Sequence, residues 1–279
     1  MLRRQILTMP VLTLLLAGNV MLTANAGIYT DITGLDPEEV VYTVDGVEFS
    51  AELYYYWLFY CCDQVQSQFS ANGSDEELQK YLTDDGAVNW EAELENGQTV
   101  NAYAKTKAEE TMQLHAEIER MAEECSIELS DEEQQEINEK YEAELENMGG
   151  EDGQYSDMLI SRDNFTKVCE VSYLFDELTE LAGDEESPYY LEPEKYEAYA
   201  DEETKEVISG ANWADEENLS EEETQARRSV LENYMMEELK SLVEGAEVVS
   251  SEELDITPGE FYNEFYNAYV QRLLETEED

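Results

Sequence analysis

One histidine and four cysteines are the side chains best suited to nucleophilic, redox or metal chemistry, and their spacing supports none of it. His115 stands in the middle of an amphipathic segment, beside its apolar seam, with no H-E-x-x-H, Ser-His-Asp or Cys-His pattern around it. It is expected at the boundary of a core. Cys61 and Cys62 are neighbours, about 100° apart on a predicted helix, and cannot comfortably bond each other. Cys125 and Cys169 fall on apolar stripes of other segments. An exported chain could oxidise them, but free, buried thiols are the expectation. No glycine-rich phosphate loop, nucleophile elbow or EF-hand spacing occurs; "GGEDG" and "DDG" miss the last of these. Acids are numerous enough to supply a glycosidase pair, yet a strand-poor chain has few positions from which to present one. No catalytic residue, metal ligand or cofactor site is therefore expected.

The residues that could do binding work are aromatic. Leu53 to Cys62, "LYYYWLFYCC", is apolar or aromatic throughout. Consecutive helical residues point 100° apart, so such a helix is apolar on every side and must be enclosed or bind something. Tyr54, Trp57, Leu58, Cys61 and Val65 follow one face and are assigned to the core. Tyr55, Tyr56, Phe59 and Tyr60 remain for a cleft, where they could touch extended polypeptide or pack beneath another helix. A second aromatic stripe closes the chain in "TPGEFYNEFYNAYVQRLLETEED", with Phe261, Tyr262, Phe265 and Tyr266 on it. This helix could dock on the rest of the chain, lie in the cleft as a reversible plug, or meet a second protomer.

The formal net charge of −54 excludes one class of partner. Phosphate backbones need a basic field, and 15 Lys and Arg facing 69 acids cannot build one. Anionic lipid surfaces are disfavoured for the same reason, while diffuse cation binding is allowed. A hydrophobic content of 42% still calls for a folded core.

The elements that must position the aromatics are legible. Residues 1–26, with Arg3 and Arg4, an apolar run and Ala24 and Ala26 before the break, have the form of a secretory signal peptide. This predicts an exported chain, cleaved or kept as an N-terminal anchor. No other segment is long enough to span a bilayer. Residues 27–37 read as a polar leader. "VVYTVDGVEF" reads as a strand, an Asp45-Gly46 turn and a second strand. Ser50 then caps a helix over about 51–70. Capping boxes at Ser74/Glu77, Ser130/Glu133, Ser220/Glu223 and Thr257/Glu260 open further helices. Others are expected over about 98–125, 161–183, 194–208 and 221–243, with a short helical turn in "QYSDMLI". "GAEVV" reads as a last strand that pairs with the first. The fold class expected is mainly α (α+β), a helical lobe with a small sheet uniting the two ends of the chain.

The order of these elements resembles that of the extracytoplasmic foldases similar to SurA and PrsA. The resemblance rests on "VVYTVDGVEFSAELYYYWL", "AEECSIELSDEEQQEINEKYE", "MLISRDNFTKVCEVSYLFDEL" and "QARRSVLENYMMEELKSLVEGAEVV", and covers about 38–183 and 220–250. It departs at Asp163-Asn164, where small loop residues are usual. It implies a chaperone lobe spanning 38–250 and built from both chain ends. A parvulin peptidyl-prolyl isomerase domain would be inserted near "AGDEESPYYLEP"; residues 184–219 are too few to form one, and parvulin sites are rich in histidine. The implied function is a non-catalytic chaperone or polypeptide-binding protein acting on unfolded or extended secreted polypeptides. An active isomerase and a cell-surface protein with one specific partner are the alternatives. The C-terminal helix, 251–279, lies outside the resemblance.

Overall fold

The computed structural model describes residues 26–71, 78–84, 86–150, 159–209, 213, 219–251 and 254–276. The expected signal peptide, the Ser74/Glu77 capping box and most of "QYSDMLI" and of the 209–218 loop lie outside these residues. The fold is mainly α, with a small three-stranded antiparallel sheet. Among the described residues, no helix is long and apolar enough to cross a membrane.

The hairpin follows from its turn. β1 (Val40–Val44) and β2 (Val47–Ser50) pair antiparallel around Asp45 and Gly46, which have φ of 46° and 91°. Positive φ at both central residues is the two-residue turn that matches strand twist, and Asp-Gly is suited to it. A register shift between Val40 and Tyr42 bends β1. β3 (Val248–Ser250) pairs with the other edge of β1, Thr43 opposite Val249, giving the order β2-β1-β3. The two ends of the chain thus close one sheet, as expected.

Ser50 accepts a hydrogen bond from Leu53 N (3.3 Å), and α2 (Ala51–Ala71) begins directly from the hairpin. α1 (Ala26–Thr33) precedes it. The polar-leader expectation is corrected here: Ile28, Tyr29 and Leu35 are buried, and the Tyr29 ring meets Tyr55 edge-on at 5.3 Å. Threonines and aspartates made the segment read as polar, while Ile28, Tyr29 and Leu35 turn inward and Ile32 packs partly buried.

Two long helices carry the rest. α3 (Val100–Glu124) is capped by Thr99, and α5 (Arg162–Gly183) by Ser161. Between them, α4 (Asp131–Asn147) opens on the Ser130/Glu133 capping box and ends before Gly149 and Gly150, both at positive φ. The expected helix over 194–208 is two pieces, α6 (Tyr196–Tyr199) and α7 (Glu202–Ile208). Ala200 is extended, and the Asp201 side chain accepts from Thr204 N, starting a new helix where continuous propensity suggested one. α8 (Glu221–Val243) opens on the Ser220/Glu223 box, and α9 is Pro258–Thr276.

Among the described residues, the buried apolar side chains form two hydrophobic clusters. The first surrounds α2 and takes in α1, the sheet, the N-terminal half of α3, the start of α5 and α9. The second surrounds α8 and is lined by Ile118 and Met121 of α3, Phe175 and Leu178 of α5, and Tyr196 of α6. α3 and α5 run through both. Ala104 and Ala108, fully buried on α3, let the aromatic helix α2 lie close against it.

A candidate binding groove filled by the C-terminal helix

The all-round apolar stretch of α2 is enclosed. Every residue from Leu53 to Cys62 is buried except Phe59, which is half-buried. The side chains assigned to a cleft divide by direction. Tyr55 and Phe59 face α9: the Tyr55 ring lies 4.6 Å from Phe261, and Phe59 lies 4.5 Å from Phe265 and stacks on Tyr262 at 5.3 Å. Tyr56 and Tyr60 pack on Trp57, with Cys169 of α5 near Tyr56. Of the four residues named on α9, Phe261, Tyr262 and Phe265 are buried, and Tyr266 is 53% exposed. The two aromatic stripes of the sequence therefore meet each other.

Three polar contacts fix the start and line of α9. Gly259 N donates to the buried Asn101 Oδ1 (2.8 Å), whose amide donates to Glu91 Oε1 (2.8 Å). Tyr262 OH donates to Asp63 Oδ1 (3.1 Å). The Cys62 thiol donates to Pro258 O (3.6 Å). Asn101 N also holds Trp90 O (2.9 Å), which brings the indole over Tyr262 at 5.7 Å. Tyr55, Phe59 and Trp90 thus line a groove, and Asp63 and Asn101 supply its polar points. Burial raises the Asp63 carboxyl above its ordinary range, partly opposed by the Tyr262 hydrogen bond. Burial, reinforced by Asp63, pushes the Tyr262 phenol up, so the proton between them stays on the tyrosine.

Asp63, Trp90, Asn101 and Gly259 were not evident as site residues in the sequence. Gly259 carried one available signal: glycine inside a helix is unfavourable by about 1 kcal/mol relative to alanine, so its place in the first turn points to a close approach.

A second buried polar cluster joins the hairpin side of the fold to α5. Glu52, 3% exposed, accepts from Ser161 N (3.1 Å), Ser161 Oγ (2.5 Å) and Asn164 Nδ2 (2.6 Å); Asn164 Nδ2 also reaches Ser50 Oγ (3.1 Å). Asn164, part of the unexplained Asp163-Asn164 departure, thereby links the caps of α2 and α5.

His115 is corrected from boundary to core. It is 1% exposed, its Nε2 pairs with Glu119 Oε1 (2.9 Å), and its ring meets Phe49 and Trp57 edge-on. The charged partner sits one turn away on the same helix, which allows the ring to be enclosed by residues remote in sequence. The four cysteines are free thiols, three buried and Cys125 intermediate. Burial raises Cys61 to about 12 and Cys169 to about 11, the opposite of an activated nucleophile. Among the described residues, no group of three or more His, Cys, Asp or Glu could hold a metal ion.

No family model, curated protein or solved structure matches this chain.

Proposed function

We propose that this is an exported, non-catalytic polypeptide-binding protein of the chaperone kind, with a groove that its own C-terminal helix closes. The observation that carries the reading is the Tyr55–Phe59–Trp90 groove holding Phe261, Tyr262 and Phe265 ring against ring. A surface that accepts an aromatic stripe from its own chain has the chemistry to accept one from another. The resemblance to SurA and PrsA supports the same class and suggests unfolded or extended secreted polypeptides as clients. The charge of −54 keeps such a surface from driving self-association and favours basic or neutral clients.

The test compares the full chain with a chain ending at residue 256. Both are assayed for suppression of aggregation of several unfolded secreted proteins, and for acceleration of a slow X-Pro refolding phase. The reading expects the shortened chain to remain folded and suppress aggregation of several clients more strongly, with neither chain accelerating the proline phase. Acceleration abolished by a substitution in this chain would establish an isomerase instead. Action on one protein alone would make it a specific interaction protein.

A further inference from the structure

Among the described residues, the sheet has an open edge at β3. Asp45 N donates to Glu247 O (3.0 Å) and Ser251 N to Val41 O (2.8 Å), and Thr43 lies opposite Val249 between them. Antiparallel pairs alternate, so residues 247, 249 and 251 face β1, and the amides of Val248 and Ser250 point outward. Among the described residues, no backbone bond reaches those outer groups. All three residues of β3 are exposed, and β3 carries neither lysine nor proline.

Apolar exposure collects on the same sheet. Four large apolar side chains stand exposed among the described residues: Val40, Val248, Val249 and Tyr266. Three of the four belong to β1 and β3. Val248 lies opposite the fully buried Val44 yet is 39% exposed, because no strand covers its outer flank. The surroundings are of one sign. Asp45 and Glu247 border the strand, and from Glu244 to Val270 the chain has no Lys or Arg. The nearby Arg120 is engaged by Glu117 and Glu124.

We infer that the outer edge of β3 is a second docking site, which takes an extended, basic polypeptide segment as a fourth strand. Main-chain bonds to Val248 and Ser250 hold the added strand, its β-branched side chains lie on the face of Val248, and its lysines or arginines lie on the face of Val249 with the flanking acids. A second copy of this chain is the poorer occupant, since it would set the same acids against each other. The site is separate from the groove and does not depend on the reading given to it.

The test measures binding of a labelled short peptide alternating lysine with valine and threonine, by fluorescence anisotropy, to the full chain. Ser250→Pro removes one outward amide and leaves the bonds to β1 in place. The inference expects saturable binding that weakens with salt, and becomes about tenfold weaker in Ser250→Pro. It expects loss of binding when lysine is replaced by glutamate in the peptide. N-methylation of alternate peptide amides must also abolish binding to the unaltered chain, a result independent of the variant's folding. Gly259→Ala, which acts on the groove, must leave this affinity unchanged. Binding that survives N-methylation or the glutamate exchange, or that tracks Gly259→Ala, would overturn it. So would sedimentation showing that the edge is occupied by a second copy.

Discussion

Gly259 lies so close to Trp90 that a Cβ on it would stand 2.2 Å from the indole Cγ and 2.6 Å from Cδ1. The buried ring cannot turn away at those atoms, so the first turn of α9 lands on Trp90 only because residue 259 has no side chain. Helix propensity argues the other way, favouring alanine by about 1 kcal/mol. Overpacking of about 1–3 kcal/mol outweighs it.

Gly259→Ala is therefore expected to loosen α9. Differential scanning calorimetry should show a midpoint lower by about 3–6 °C, with increased binding of an apolar dye. Gly183→Ala is the control: its Cβ would meet the movable end of the Arg227 guanidinium, and no comparable loss is expected.

Glu52 carries the tie between α2 and α5. Glu52→Ala leaves Ser161 N without its acceptor and Asn164 Nδ2 with Ser50 Oγ alone, and should cost about 3 kcal/mol in urea unfolding. Asn164→Ala should cost about 1–2 kcal/mol by the same measurement, since the Ser161 bonds remain. Equal stability of both variants to the parent would show that the cluster is not a tie.

Ser126 ends α3 at a φ of 56°, with Ile127 N bonded to Ala122 O (2.9 Å) and Ser126 N to Glu123 O (3.0 Å). This is the helix-ending arrangement in which glycine is normally favoured. Ser126→Gly should stabilise the protein by about 1 kcal/mol, read from the shift in urea midpoint at constant slope.

Mild acid should stabilise the fold. Burial raises the folded pKa of Asp63, Glu109, Glu170 and Glu177. A carboxyl raised in this way opposes folding while ionised, so stability increases as pH falls from neutral through the raised value toward the unfolded one. Glu119 runs the other way: burial would raise it, but the His115 hydrogen bond and Lys167 help to hold it low, so its contribution is lost only at more acid pH. The melting midpoint should rise between about pH 7.5 and about pH 5. Asp63→Asn, which can still accept from Tyr262, should raise the midpoint at neutral pH and flatten this slope.

What was legible in the sequence was local. Asp45-Gly46 announced the hairpin, and the Ser130/Glu133 and Ser220/Glu223 boxes form as read because each closes within a single helical turn. The apolar run of α2 could be recognised as enclosed or binding, but its cover, Phe261 to Phe265, lies some two hundred positions along the chain. Contacts across such a distance leave no periodicity to read. Asn164 and Trp90 were opaque for the same reason, each set by partners on a remote segment. His115 misled because its neighbours in sequence are mixed, Leu114 and Ala116 beside Gln113 and Glu117, while the rings that enclose it, Phe49 and Trp57, lie on a remote segment.

The central claim is that α9 and a client polypeptide compete for one groove. The direct measurement is a displacement titration: a labelled unfolded secreted polypeptide is bound to the chain ending at residue 256, and a synthetic peptide of residues 257–276 is added. The account predicts that the peptide displaces the client in full, and that a peptide with Phe261 and Phe265 replaced by alanine does so about a hundredfold less well. A client that stays bound while the peptide saturates the groove would contradict it.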